Sequence, residues 1–194
     1  YGAKGMLHEC FMYPSNLYKE YNVKPKEDGG IINIQVGNSA DSTNNHKEAF
    51  EKLRKYKDWN IKIYVPLSYS DQDYVKGVIA KGKAIFGDKF IALIDFMPFE
   101  KYLDFLGTID IAIFAHKRQQ AMGNIITLLG LGKEVYIRND ITTWQFFKDI
   151  NVSVFDFDNL KLERINDTPK TKNIENIKSY FSEKNYLKQL KQLF

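Results

Sequence analysis

Six short runs of β-branched and aromatic residues, at residues 31–36, 61–65, 90–94, 110–114, 134–138 and 152–155, alternate with segments of helical spacing. No other feature restricts the fold of this chain as strongly. Each run is continuously apolar or nearly so, which is the pattern of strands covered on both faces. Strands of that kind, separated by helices, bury their surfaces in a parallel sheet with right-handed crossovers. The expected fold is therefore α/β: a Rossmann-like, doubly wound parallel sheet of about six strands.

The intervening segments carry the helical signal. Ala49, Phe50, Leu53 and Tyr56 fall on one stripe. Asn45 and Glu48 are placed to act as N-cap and third-position acid. Tyr74, Val75, Val78 and Ile79 mark a second helix, stopped by Gly87-Asp88, and Leu103 with Leu106 mark a short third. Residues 122–131 are apolar nearly all round and predict a deeply buried helix, and Trp144 with Phe147 belong to a fifth. Residues 1–30, with Pro14, Pro25 and Gly29-Gly30, read as a linker containing one strand at most. Residues 161–194 are rich in Lys and Asn and end in a helical pattern of Tyr186, Leu187, Leu190, Leu193 and Phe194. The chain opens at Tyr1 inside a periodic pattern, so a piece of a longer product is expected.

Composition narrows the function. Of 28 basic residues only four are Arg, and the net charge is +4, a poor profile for a nucleic-acid binder. The lone Cys10 excludes a disulfide scaffold and a multi-cysteine zinc site. No G-x-G-x-x-G follows the first strand, and Gly132-Lys133 lacks the leading glycine of a phosphate loop, that position holding Thr127. The triplets Asp71-Gln72-Asp73 and Asp156-Phe157-Asp158 could hold a divalent cation, but a helix start and a polar turn account for them better. No metal is expected.

Ligands of such sheets sit beyond the carboxyl ends of the strands, here residues 37–45, 66–72, 95–99 and 115–124. After the first strand come Gly37, Asn38 and Ser39, then Asp41, Asn44 and His46. Gly37 permits close backbone approach, and Asn38 and Ser39 supply neutral hydrogen-bonding groups. After the fourth strand come Arg118, Gln119 and Gln120, with Gly123 and Asn124 opening the apolar helix. Exposed amides at a helix start, joined by a guanidinium, suit a phosphate group.

The run Gly37-Asn38-Ser39, Asp41, Asn44 and His46 resembles the G-N-S-x-D-x-x-N-x-H stretch of TDP-N-acetylfucosamine:lipid II N-acetylfucosaminyltransferases. These are the family 56 glycosyltransferases of enterobacterial common antigen synthesis. The resemblance continues in order through Val65-Pro66, Phe114-Ala115, Arg118-Gln119-Gln120 with Gly123, and Trp144-Gln145, and covers roughly residues 31–160. It implies the C-terminal half of a GT-B glycosyltransferase. Residues 1–30 would then be the linker and tail of an N-terminal domain, 31–160 the nucleotide-sugar domain, and 161–194 a C-terminal helical segment that crosses back toward its partner domain.

The same resemblance implies a donor diphosphate held by Gly37, Asn38, Ser39, Asn44, Arg118, Gln119, Gln120, Gly123 and Asn124 without an obligatory metal or other cofactor, and a base near Phe96 and Met97. It implies a polyprenyl-diphosphate-linked glycan as acceptor, hence a peripheral enzyme at the cytoplasmic face of the bacterial inner membrane. Thr127 stands where many retaining enzymes place a glutamate, which suits inversion, and His116-Lys117 departs from the enterobacterial pattern. The catalytic base is expected in the N-terminal domain, His46 and Asp41 being the local candidates. A sugar-nucleotide epimerase of the same two-domain plan and a non-enzymatic α/β binding domain are the alternatives.

Overall fold

The computed structural model describes residues 13–21, 23, 26, 30–68, 71–162 and 168–192. Cys10 and the ends of the chain lie outside these residues. Six strands form one sheet: β1 (Ile32–Val36), β2 (Ile61–Pro66), β3 (Phe90–Leu93), β4 (Ile111–Phe114), β5 (Glu134–Ile137) and β6 (Phe155–Asp156). Their spatial order is β3-β2-β1-β4-β5-β6, and every pairing is parallel. The expected doubly wound α/β sheet is what forms.

Strand period explains the two-sided core. On β4, Ile111 and Ile113 face one side while Ala112 and Phe114 face the other, and all four are buried. The first face is covered by α1 (His46–Leu53) and α2 (Gln72–Phe86), through Phe50, Leu53, Val78 and Phe86. The second face is covered by α3 (Phe99–Thr108), α4 (Met122–Gly130) and α5 (Thr142–Asp149). Each fully buried Phe or Ile contributes roughly 1.5–3 kcal/mol. The helix α6 (Thr168–Tyr180) lies over α4 and adds Ile177 to that second core, with Phe181 just beyond it; α7 (Glu183–Leu190) follows.

Local signals set the helix ends. Asp71 caps α2 by accepting from the Asp73 and Tyr74 N–H groups, and Gly87, at φ 56°, ends it. Asp156 caps a short turn in the same way, accepting from the Asp158 N–H. The first aspartate of each D-x-D triplet therefore spends one oxygen on the backbone. Residues 13–21 carry a 3₁₀ turn, Pro14–Asn16, and no strand. That segment is pinned on the second face: the Tyr18 hydroxyl donates to Gly130 O at 3.0 Å, and the Tyr18 N–H donates to Phe181 O.

Two local expectations need correction. Asn45 precedes α1 but does not cap it; it is left-handed at φ 49°, and its Nδ2 donates to Thr43 O and Ala115 O. The last strand is two residues long and starts at Phe155, not Val152. Asn173 of α6 explains this, because its side chain bonds both the N–H and the carbonyl of Ser153 in place of a neighbouring strand.

Candidate functional site

The strand order reverses between β1 and β4, so the loops leaving their carboxyl ends flank one crevice. The structure stitches these two loops together. The Gly37 N–H donates to Ile113 O, and Asn45 Nδ2 donates to Ala115 O. His116 Nε2 donates to Asn44 Oδ1 at 2.9 Å. The Thr43 hydroxyl lies 2.6 Å from Asp41 Oδ1 and 2.8 Å from Gln120 Oε1. Residues that are 70 or more positions apart in sequence thus form one rim.

Within the first loop the residues divide by role. Gly37 adopts φ 69°, and a Cβ there would stand 2.5 Å from His46 Nε2. Asn44 is fully buried and fully satisfied. Its Oδ1 accepts from the Asn38 N–H and from His116, and its Nδ2 donates to Ser39 Oγ and Asp41 O. Asn44 therefore shapes the loop and has no group left for a ligand, contrary to its expected role as a donor contact. Asn38 keeps a side-chain oxygen without a hydrogen-bond partner among the described residues, at the wall of a cavity of about 270 Å³.

His46 is likewise corrected as a base. Its ring is wholly buried beneath Gly37, with Nδ1 2.9 Å from the Tyr74 hydroxyl, so no acceptor can reach it. Burial, reinforced by His116, pulls its pKa down to about 4. His116 is also lowered to about 4, by burial and then by Arg118, with Asp41 opposing. Asp41 spends one oxygen on the Thr43 N–H and hydroxyl, which hold its carboxyl below the ordinary value.

The second loop delivers the cationic and amide groups. Among the described arginines, Arg54 pairs with Glu51 and Arg138 with Glu48 and Asp140, while Arg118 makes no ion pair. Its charge is felt by Asp41 and His116, which places it along the rim. Gln119 is exposed beside it. Ala121, in the left-handed region at φ 58°, turns the chain into α4 without a side-chain cap. The N–H groups of Met122, Gly123 and Asn124 open that helix and have no intrahelical acceptor. Thr127 donates to Gly123 O one turn on.

The cavity at Asn38 also takes in Pro66 at the end of β2 and Ser68 beyond it, Phe96 and Met97 after β3, and Asn124 at the start of α4. Phe96 is 67% exposed, an apolar surface presented at the rim. The cavity thus brings Asn38 and Asn124 together with Phe96 and Met97, whereas Arg118, Gln119 and Gln120 are not among its lining residues and Gly123 lines the neighbouring groove against Ser15. Sequence reasoning missed Gln35, Tyr74, Tyr102 and His116, which support the site from below or behind. The signal for Gln35 was available, since a carboxamide inside the otherwise apolar run Ile34-Gln35-Val36 needs a partner.

Strand order, the crevice at its reversal and an uncapped helix start opening into that crevice define a Rossmann-like domain of the kind that makes up GT-B glycosyltransferases. The chain matches the family model described as 4-alpha-L-fucosyltransferase glycosyl transferase group 56 over residues 4–194, and it belongs to that family. A glycosyltransferase of Rickettsia africae superposes with a TM-score of 0.68 at 15% identity, covering 85% of this chain and 47% of that one. A UDP-forming α,α-trehalose-phosphate synthase of Burkholderia xenovorans gives 0.63 at 10% identity over 85% and 44%. An E. coli structure described as trehalose-6-phosphate bound with UDP-2-fluoro glucose gives 0.57 at 9% identity over 84% and 43%. At these identities the likeness is one of fold, and the chain spans about half the length of the solved structures it matches.

Proposed function

We propose that this chain is the donor-binding, C-terminal domain of a GT-B glycosyltransferase. In this reading it takes a TDP-N-acetylfucosamine-like sugar nucleotide for transfer to a polyprenyl-diphosphate-linked glycan, in the synthesis of a cell-surface polysaccharide. The observation that carries this reading is the bonding of the loops after β1 and β4 into one rim at the reversal point of the sheet, the second loop carrying the unpaired Arg118 and leading into the uncapped start of α4. Family membership supports the sugar class, and the UDP-sugar bound by a protein of like fold supports a nucleotide diphosphate as ligand.

The diphosphate sits against the Gly123 and Asn124 amides and the Arg118 guanidinium, with Gln119, Gln120 and Ser39 available to phosphate or sugar. The base lies over Phe96 and Met97. As the glycosidic bond breaks, negative charge grows on the leaving diphosphate. Donors already aimed at it stabilise the transition state more than the bound substrate. Arg118 and the helix amides supply the positive potential at that oxygen, so the reading needs no metal. The configuration inverts, and the base that takes the acceptor proton comes from a second, N-terminal α/β domain. The acceptor's lipid places the whole enzyme at the cytoplasmic face of the bacterial inner membrane as a peripheral protein.

Titration of the full-length enzyme with TDP tests the donor site. Arg118→Ala is expected to weaken binding about tenfold or more, since hydrogen bonds to charged groups contribute about 1.5–3 kcal/mol. Unchanged affinity would remove Arg118 from the site.

A further inference from the structure

We propose that Tyr102 is a positioning residue for the donor diphosphate, fixing which end of the Asn124 carboxamide faces the cleft. The inference rests on the reading of α4 as the diphosphate site and extends it to a residue of α3. Asn124 is the third residue of α4, and its Oδ1 accepts a hydrogen bond from the Tyr102 hydroxyl. With the oxygen engaged, Nδ2 is the end left for the cleft, and it has no hydrogen-bond partner among the described residues.

Polarity gives this orientation its consequence. A carboxamide presents a donor at one end and an acceptor at the other. Beside a diphosphate the amino end adds a donor to the helix amides, whereas the carbonyl end would meet the phosphate oxygens with like partial charge. Free rotation about the Asn124 side chain would sample both. The Tyr102 hydroxyl selects the donor end before any ligand arrives.

Tyr102 is well held for this work. Its ring packs against Phe105, and burial pushes its phenol up to about 12, with the Gln35 amide opposing, so it remains a donor throughout the physiological range. Gln35 in turn donates through Nε2 to Gly37 O at 2.9 Å. Gln35 thus ties to the Gly37 turn from beneath, and Tyr102 holds Asn124. Tyr102 and Asn124 both line the cavity that holds Asn38, Phe96 and Met97, and both also line an adjoining groove against Ser15 and Tyr21.

The test is a double-mutant cycle read as TDP affinity of the full-length protein. Tyr102→Phe keeps the ring and removes the hydroxyl. It is expected to weaken TDP about fivefold to tenfold while its thermal midpoint stays near the wild-type value. Asn124→Ala should weaken TDP about tenfold, and the double variant should bind no worse than Asn124→Ala, because Tyr102 acts through Asn124. Losses that multiply, or a Tyr102→Phe variant that binds like the wild type, would overturn the assignment. Asn124→Asp gives an independent reading: with Tyr102 on one carboxylate oxygen the other faces the phosphate, so binding should fall below that of Asn124→Ala. Equal affinity of these two would also overturn it. A wild-type protein that binds neither TDP nor UDP would instead overturn the donor reading itself, and the role of Tyr102 with it.

Discussion

A Cβ at position 37 would stand 2.5 Å from His46 Nε2 and 2.7 Å from Asn44 Oδ1, on a backbone at φ +69°. Both the conformation and the space therefore require glycine. We predict that Gly37→Ala costs about 2–4 kcal/mol, from the left-handed backbone and the forced displacement of a buried ring together. A urea titration showing less than about 1 kcal/mol would contradict this account of the turn. The two histidines beneath the rim make a second prediction. Each titrates near 4 in the folded protein against an ordinary 6.5, so between those values the unfolded chain binds more protons. Stability is then complete above about pH 6.5 and falls as the pH drops toward 4, by on the order of 3 kcal/mol for each ring. Urea midpoints measured from pH 7 to 4.5 should decline, and a flat profile would contradict the burial of these rings. At this scale the sequence was half legible. Gly-Asn-Ser after a strand announced a turn at the rim, but nothing local showed that Asn44 and His46 face inward. Their partners, His116 and Tyr74, lie 72 and 28 positions away.

The helix α4 carries the proposed diphosphate at one end and an anchored segment of the chain at the other. Gly130 admits the Tyr18 ring so closely that a Cβ there would lie 2.2 Å from it. Gly130→Ala is expected to displace Tyr18, break its bond to the Gly130 carbonyl, and cost about 1–3 kcal/mol. Limited proteolysis should then cleave within residues 13–21 faster than in the wild type, and unchanged resistance would show that Tyr18 does not hold the segment. Element types were readable because hydrophobic periods are local. Five of the six strand runs and the five helical stripes between them fall where elements form, and the sixth run meets its strand at Phe155. Element ends were less readable where distant groups compete for the backbone. Asn45 looks like a cap in sequence, yet its amide is taken by Ala115 across the crevice. Likewise Val152 reads as strand, but the backbone at Ser153 bonds to Asn173.

At the scale of the whole molecule, six parallel strands in the order 3-2-1-4-5-6 put the reversal point, and so the crevice, between β1 and β4. That adjacency was implied by the fold class before any side chain was placed, which is why the two loops could be assigned to one site from sequence. The donor sugar, the acceptor and the second domain belong to the proposal. No helix among the described residues is long and apolar enough to cross a membrane. With a net charge of +4 and the lysines of α6 and α7, the protein is expected to bind vesicles containing anionic phospholipid and to leave them as salt is raised. Sedimentation that does not depend on anionic lipid would contradict a membrane-surface role for these charges. The central claim is that one crevice accepts a nucleoside diphosphate, and amide NMR of the labelled protein titrated with TDP tests it most directly. The account predicts the largest shifts at Gly37 and Asn38, at Phe96 and Met97, and at Arg118 and Met122 to Asn124. Shifts absent from these positions, or gathered at the opposite ends of the strands, would contradict it.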